Sequence, residues 1–171
     1  MMKIALFFIS LTLAFGSQAQ EDHKGLLNKK VASVQLKDLD GKMVNTAELG
    51  FDGPVVISFW AVWCKPCRKE LDAINELYID WQDETGVNLV AVSIDDEKTK
   101  NSVPLVVNGS AWEFTVLLDP NSDFKRAMGV NNVPHTFLLD KDGNIVYSHN
   151  NYAPGDEEAL YDEIKKLAAS K

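Results

Sequence analysis

The chain has 171 residues, with 17 lysines and arginines against 25 aspartates and glutamates, for a formal charge of −8. So acidic a chain, with no basic cluster and no arginine-rich helix, repels phosphate backbones and excludes nucleic acid as a partner class. The length fits one domain with a genuine core and no second one.

Residues 1–19 read as an export signal. Lys3 gives a positive start, Ile4 to Phe15 an apolar stretch, and Gly16-Ser17-Gln18-Ala19 a small-residue exit. The stretch is shorter than the ~20 residues that span a bilayer, so cleavage after Ala19 and no stable membrane insertion are expected. Removing this segment takes away one lysine and no acid, which moves the formal charge from −8 to −9. No cysteine follows the cleavage point to carry a lipid. The expected location is therefore periplasmic, as a soluble chain of three parts: signal 1–19, a flexible polar lead-in 20–30, and one domain 31–171.

Within that domain, Val31 to Leu36 reads as a strand, and Asp40-Gly41 turns it back into Lys42-Met43-Val44 as an N-terminal hairpin. Val55-Val56-Ile57-Ser58-Phe59-Trp60 is apolar almost without alternation, which suits a strand buried on both faces. Cys67, Leu71, Ile74, Leu77, Tyr78 and Trp81 then recur at helical spacing, and Thr85-Gly86 ends that helix. Val87 to Ile94 is a second buried strand, followed by the polar stretch Asp95 to Asn101. Pro104 belongs in a first helical turn, which places a short helix over Val103 to Val107 with its start near Ser102. Phe114 to Leu118 is a third strand, and Asp123 to Met128 a short helix closed by Gly129. Thr136 to Leu139 and Ile145 to Tyr147 form a second hairpin about Asp142-Gly143. A last helix begins at Asp156 and buries Leu160, Ile164 and Leu167. The fold class is α/β, a mixed sheet flanked by helices.

Cys64 and Cys67 are the chain's two cysteines, set where the first buried strand gives way to a helix. As a staple the pair is weak, because a loop of about four residues is worth only ~2 kcal/mol against ~4.7 for a loop of a hundred. Zinc needs four ligands, and the remaining candidates are His23, His135 and His149, the last two too far apart for a finger. Redox work is the favoured reading, and no cofactor motif accompanies it. Exported thiols become oxidised unless something keeps them reduced, so a dithiol enzyme there needs an electron partner.

A dithiol at a strand-to-helix join resembles the thioredoxin arrangement. Phe59 to Cys67 is similar to its active-site strand and helix, Val130 to Phe137 to its cis-proline loop, and Asp140-Lys141-Asp142-Gly143 to the following hairpin. The Cys-x-Pro-Cys-Arg-Lys-Glu run, the N-terminal hairpin and the segment inserted between Ile94 and Phe114 resemble the TlpA/ResA group of exported thiol-disulfide oxidoreductases. The resemblance implies a thioredoxin-like fold, a redox-active Cys64–Cys67 disulfide, a cis Val133-Pro134 bond, and a glutamate of the active site at Glu70. It also implies disulfide-containing protein substrates, a membrane thiol reductase as donor, and a reducing role in cytochrome c maturation or general disulfide repair.

Two departures matter. Thioredoxin's buried aspartate is replaced by Ser58, so another acid must handle any proton. Peroxiredoxins require a proline and a threonine at the positions of Ile57 and Ala61, which disfavours peroxidase activity. On the residues alone Glu70 reads as a solvated acid on a helix surface; the resemblance reverses this.

Cys64 is expected to attack, since lowering a thiol pKa from ~8.5 to ~7 raises its thiolate fraction at neutral pH from ~3% to ~50%. Helix N-terminal amides and Lys65 would supply that shift. Cys67 would resolve the mixed disulfide, with Glu70 managing its proton. Val133 and Pro134 would line the substrate segment and Trp63 would border the site. Trp60 is read as either core or functional, Trp81 and Trp112 as packing, and His135 as structural. A non-catalytic binding module, or an oxidant or isomerase on the same site, stays open at this stage.

Overall fold

The structure, a computed structural model, describes residues 26–50 and 52–170. The expected export signal and the first part of the lead-in lie outside the described residues.

Seven strands form one mixed sheet in the order β2-β1-β5-β4-β3-β6-β7. Inside it β3 (Val55–Trp60) is parallel to the middle strand β4 (Asn88–Ser93), which is parallel to β5 (Thr115–Leu118). On one side β6 (His135–Leu139) and β7 (Ile145–Asn150) add an antiparallel hairpin; on the other, β1 (Gln35–Asp38) and β2 (Met43–Asn45) add a second one against β5. All six residues of β3 are buried, as the unbroken apolar run requires of a strand covered on both faces.

Alternation along the strands divides the core in two. Val56, Trp60, Leu89, Ala91, Val116 and Leu138 face α1 (Lys65–Thr85), α2 (Val103–Gly109) and α4 (Asp156–Ala169). Val55, Ile57, Phe59, Val90, Val92, Leu117 and Phe137 face Phe124 of α3 (Asp123–Ala127), with Met128, Val130 and, from the segment before β1, Val31. The α1 stripe follows the predicted one at Cys67, Leu71, Ile74, Tyr78 and Trp81, which are all buried, while Leu77, read as part of it, is exposed. Gly86 ends the helix at φ 71°, and its amide returns to the Gln82 carbonyl at 2.8 Å. A Cβ on Gly53 would collide with the Gly86 carbonyl oxygen, so the entry to β3 and the exit from α1 touch backbone to backbone.

Several boundaries differ from the sequence reading, among them the end of β7, which runs on to Asn150 instead of Tyr147. The first strand begins at Gln35 instead of Val31, because Thr46 intervenes: its hydroxyl accepts from the Val34 amide at 2.9 Å and donates to the Ala32 carbonyl at 2.6 Å. The inserted helix is entered through a 3₁₀ turn, Lys100–Ser102, and runs on to Gly109. Residues 26–30, read as flexible lead-in, are tied to the second hairpin: the Asn28 amide donates to the Ile145 carbonyl, the Ile145 amide donates to the Lys29 carbonyl, each at 2.8 Å, and Lys30 bridges to Asn144.

Leu71 is fully buried between α1 and the sheet. Leu71→Ala is expected to cost about 2–5 kcal/mol in a urea unfolding measurement, with the slope unchanged.

Candidate active site

The site forms where β3 ends and α1 begins. Asp95, at the end of β4, holds the connecting segment: its Oδ2 accepts from the Val62 amide and from the Ser93 hydroxyl, each at 2.9 Å. Ile94 donates to the Trp60 carbonyl at 2.9 Å and Cys64 to the Ala61 carbonyl at 3.0 Å, so the chain turns sharply into the helix. Cys64 is the N-cap residue of α1, with extended backbone, and its Sγ accepts from the Cys67 amide at 3.3 Å. A sulfur in that position meets amide groups that have no helical partner, together with the positive end of the helix dipole. Both act to stabilise a thiolate on Cys64 once the pair is reduced. Pro66 sits in the first turn, where its missing amide costs nothing.

The structure holds Cys64 and Cys67 as a disulfide. Their surroundings are unequal: Cys64 is 5% exposed at the helix tip and Cys67 is 0% exposed beneath it. Lys65, Arg68 and Lys69 are exposed on the same turns.

Glu70 lies three residues beyond Cys67, a helical spacing that makes the two side chains neighbours. It is buried, 4% exposed, which overturns the reading of a solvated surface acid. Its Oε1 contacts the Thr136 hydroxyl at 2.8 Å and its Oε2 the Ser58 hydroxyl at 3.5 Å. Burial pushes the carboxyl from an ordinary 4.5 up to about 7, against hydrogen bonds from Thr136 and Ser58 that favour the charged form; Asp156 and Glu157 add to the rise. Such a group exchanges its proton in the neutral range, as an acid or base for a thiol must.

The Val133-Pro134 peptide is cis. Val133 is part-buried against the cluster that contains both cysteines, Pro134 is buried, and β6 begins only at His135. Trp63 stands 62% exposed immediately before Cys64. The other aromatic residues are structural. Trp60 is fully buried and meets Trp112 edge to face at 4.8 Å, Trp112 donates to Asp72 at 2.8 Å, and Trp81 stacks on Tyr161. His135 is buried, stacked on Phe137 at 4.3 Å, with Nε2 2.9 Å from the Ser148 hydroxyl.

The sequence reading missed Asp95 and Thr136. The signal for Asp95 was present: an acid at the carboxyl end of a buried parallel strand, beside the strand that carries the dithiol, is where open α/β sheets collect functional groups.

Residues 27–148 match the AhpC/TSA family. The chain belongs to that family. It is similar to the thiol-disulfide oxidoreductase ResA of Bacillus anthracis, with 35% identity over 81% of this chain and 77% of the relative. The ResA of Halalkalibacterium halodurans matches at 26% over 96% of this chain and 90% of its own. Among solved structures, a thioredoxin-like protein from Porphyromonas gingivalis superposes with a TM-score of 0.73 at 47% identity, covering 81% of this chain and 92% of that one. A Chlorobium tepidum structure assigned as a thiol:disulfide interchange protein DsbE gives a TM-score of 0.74 at 28% identity, covering 83% and 97%. The fold is thioredoxin-like, and the chain is a thiol-disulfide oxidoreductase of the ResA and DsbE kind with a Cys64–Cys67 pair, a family that implies disulfide-containing substrates.

The raised pKa of Glu70 has a consequence for stability. Below pH 4.5 the folded and unfolded chains both hold the proton; between 4.5 and about 7 only the folded chain does. Unfolding then releases a proton, so stability falls as pH rises through this window and levels off above it. Glu70→Gln, which cannot ionise, is expected to gain on the wild type by on the order of 3 kcal/mol between pH 4 and pH 8 in urea unfolding. A gap that stays constant across that range would remove the assignment of a raised pKa.

Proposed function

We propose that this protein is exported to the periplasm and reduces disulfides of extracytoplasmic proteins, including those handled in cytochrome c maturation. The observation that carries the reading is the asymmetry of the pair: Cys64 at the helix tip, Cys67 wholly enclosed, and a buried carboxyl one turn further along. In the reduced protein the Cys64 thiolate attacks one sulfur of a substrate disulfide. The new S–S bond is the mixed disulfide, and the other substrate sulfur leaves as a thiolate. Cys67 gives its proton to Glu70, attacks Cys64 and releases the second substrate sulfur. Two electrons pass to the substrate, and the enzyme is left with the Cys64–Cys67 disulfide. A membrane thiol reductase returns it to the dithiol by the same exchange.

Substrate lies across Trp63 and the cis-proline loop. The Val133 backbone stands outside the β6 ladder, free to pair with an extended segment as an added strand, while the exposed Trp63 ring covers its apolar side chains. Removal of residues 1–19 would leave the domain together with residues 26–30, which are tied to its second hairpin. Among the described residues no helix is long and apolar enough to cross a membrane.

Cys67→Ser removes the resolving thiol and is expected to accumulate mixed disulfides through Cys64, seen as reductant-sensitive bands on non-reducing gels of periplasmic extract; Cys64→Ser is expected to trap none. Equal trapping by the two variants would refute the division of roles. A reduction potential above about −150 mV would refute the reducing direction.

A further inference from the structure

Beneath α1 the sheet carries a polar pair in an otherwise apolar face. Ser58 on β3 and Thr136 on β6 are directly opposite each other in the antiparallel register, and both are buried. Alternation places Ser58 between Val56 and Trp60, and Thr136 two residues before Leu138, so both hydroxyls point toward α1. Glu70 descends onto them. Three contacts close a ring: Glu70 Oε1 to Thr136 Oγ1 at 2.8 Å, Thr136 Oγ1 to Ser58 Oγ at 3.2 Å, and Ser58 Oγ to Glu70 Oε2 at 3.5 Å.

Counting protons shows what this ring does. With Glu70 ionised, Thr136 donates to Oε1 and Ser58 to Oε2, and the contact between the two hydroxyls carries no proton. With Glu70 protonated, Oε1–H donates to Thr136, Thr136 donates to Ser58, and Ser58 donates back to Oε2. Every carboxyl oxygen keeps a partner in both states, and the change between them requires only rotation of two hydroxyls, each able to donate and to accept. Surrounded by alkyl groups alone, a buried carboxyl would be held neutral; facing fixed donors such as backbone amides, it would be held charged.

We propose that Ser58 and Thr136 are positioning residues that hold Glu70 in a ring of rotatable hydroxyls, so that it takes up and returns the Cys67 proton without moving. The inference rests on the function proposed above. Other groups around Glu70 work against its ionisation: Asp156 and Glu157 at the start of α4 raise its pKa, and the phenols of Tyr147 on β7 and of Tyr152 feel its charge in turn. His149 faces Asp156 at 3.2 Å, and Cys67 shares α1 with Glu70. Thr136 and then Ser58 are the groups that oppose desolvation.

The test is the titration midpoint of Glu70, read from its side-chain carboxyl carbon by NMR in the oxidised full chain. Thr136→Val keeps the shape and removes the donor, and is expected to raise the midpoint by about one pH unit. Ser58→Ala should raise it by less, since its contact is longer, and Thr136→Ser should return it close to the wild-type value. In the reduced protein, the pH profile of disulfide reduction is expected to move with the midpoint in Thr136→Val and not in Thr136→Ser. Folded Thr136→Val and Ser58→Ala proteins with unmoved midpoints overturn the proposal, as does a moved midpoint with a fixed activity profile. Should Thr136→Val fail to fold, a midpoint in Ser58→Ala that stays or falls overturns it. A Glu70 midpoint that moves as stated in a protein reducing no disulfide keeps the ring and ends the function proposed above.

Discussion

A carboxyl group enclosed one helical turn from a disulfide is the constraint on which this site depends. Enclosing a charge is costly, and a protein ordinarily avoids the cost by pairing the group or keeping it neutral. Among the described residues no ion pair is formed by Glu70; two hydroxyls contact its carboxyl instead. The result is a group that is neutral or charged with nearly equal ease around pH 7. A proton acceptor for a buried thiol needs that balance, because an acid that held its proton too weakly could not take one from Cys67, and one that held it too tightly could not give it up.

The scaffold makes this balance possible. The β3–α1 junction is fixed by Asp95 through the Val62 amide, which sets Cys64 as the cap of α1. Helix periodicity then determines the rest: Cys67, Glu70, Leu71 and Ile74 follow at intervals that return to the sheet. On the sheet side, the antiparallel pairing of β3 with β6 brings Ser58 and Thr136 together under that stripe. Two residues of different strands and one of a helix meet because each obeys its own period. The cis-proline loop belongs to the same construction, since β6 starts immediately after Pro134 and carries Thr136 two residues on.

Much of this was legible in the chain. The strand β3 announced itself by six residues with no polar alternation apart from Ser58, and α1 by the recurrence of Cys67, Leu71, Ile74, Leu77, Tyr78 and Trp81, of which Leu77 is exposed. The cysteine pair was legible because its spacing makes a poor staple and a good redox couple. The first strand was misplaced because Val31 to Val34 has strand composition while Ala32 and Val34 bond to the side chain and backbone of Thr46 and Val31 donates to the Gly143 carbonyl, long-range partners that no local pattern reveals. Glu70 was ambiguous for a related reason. An acid on an amphipathic helix ordinarily faces water, and what holds this one inside is a pair of hydroxyls 12 and 66 residues away, joined only by strand register. Ser58 was noticed as a substitution within the resemblance, but its partner across the sheet could be named only once β3 and β6 were aligned.

The central claim is that the Glu70 carboxyl exchanges its proton in step with the dithiol. Reduction potential against pH measures this coupling directly, because a group whose proton affinity depends on the redox state bends the line where it titrates. The account predicts that the wild-type line carries, besides the bends of the thiols themselves, a bend near pH 7 contributed by Glu70, so that the lines of the wild type and Glu70→Gln diverge across the neutral range. Parallel lines for the two proteins across the neutral range would contradict it.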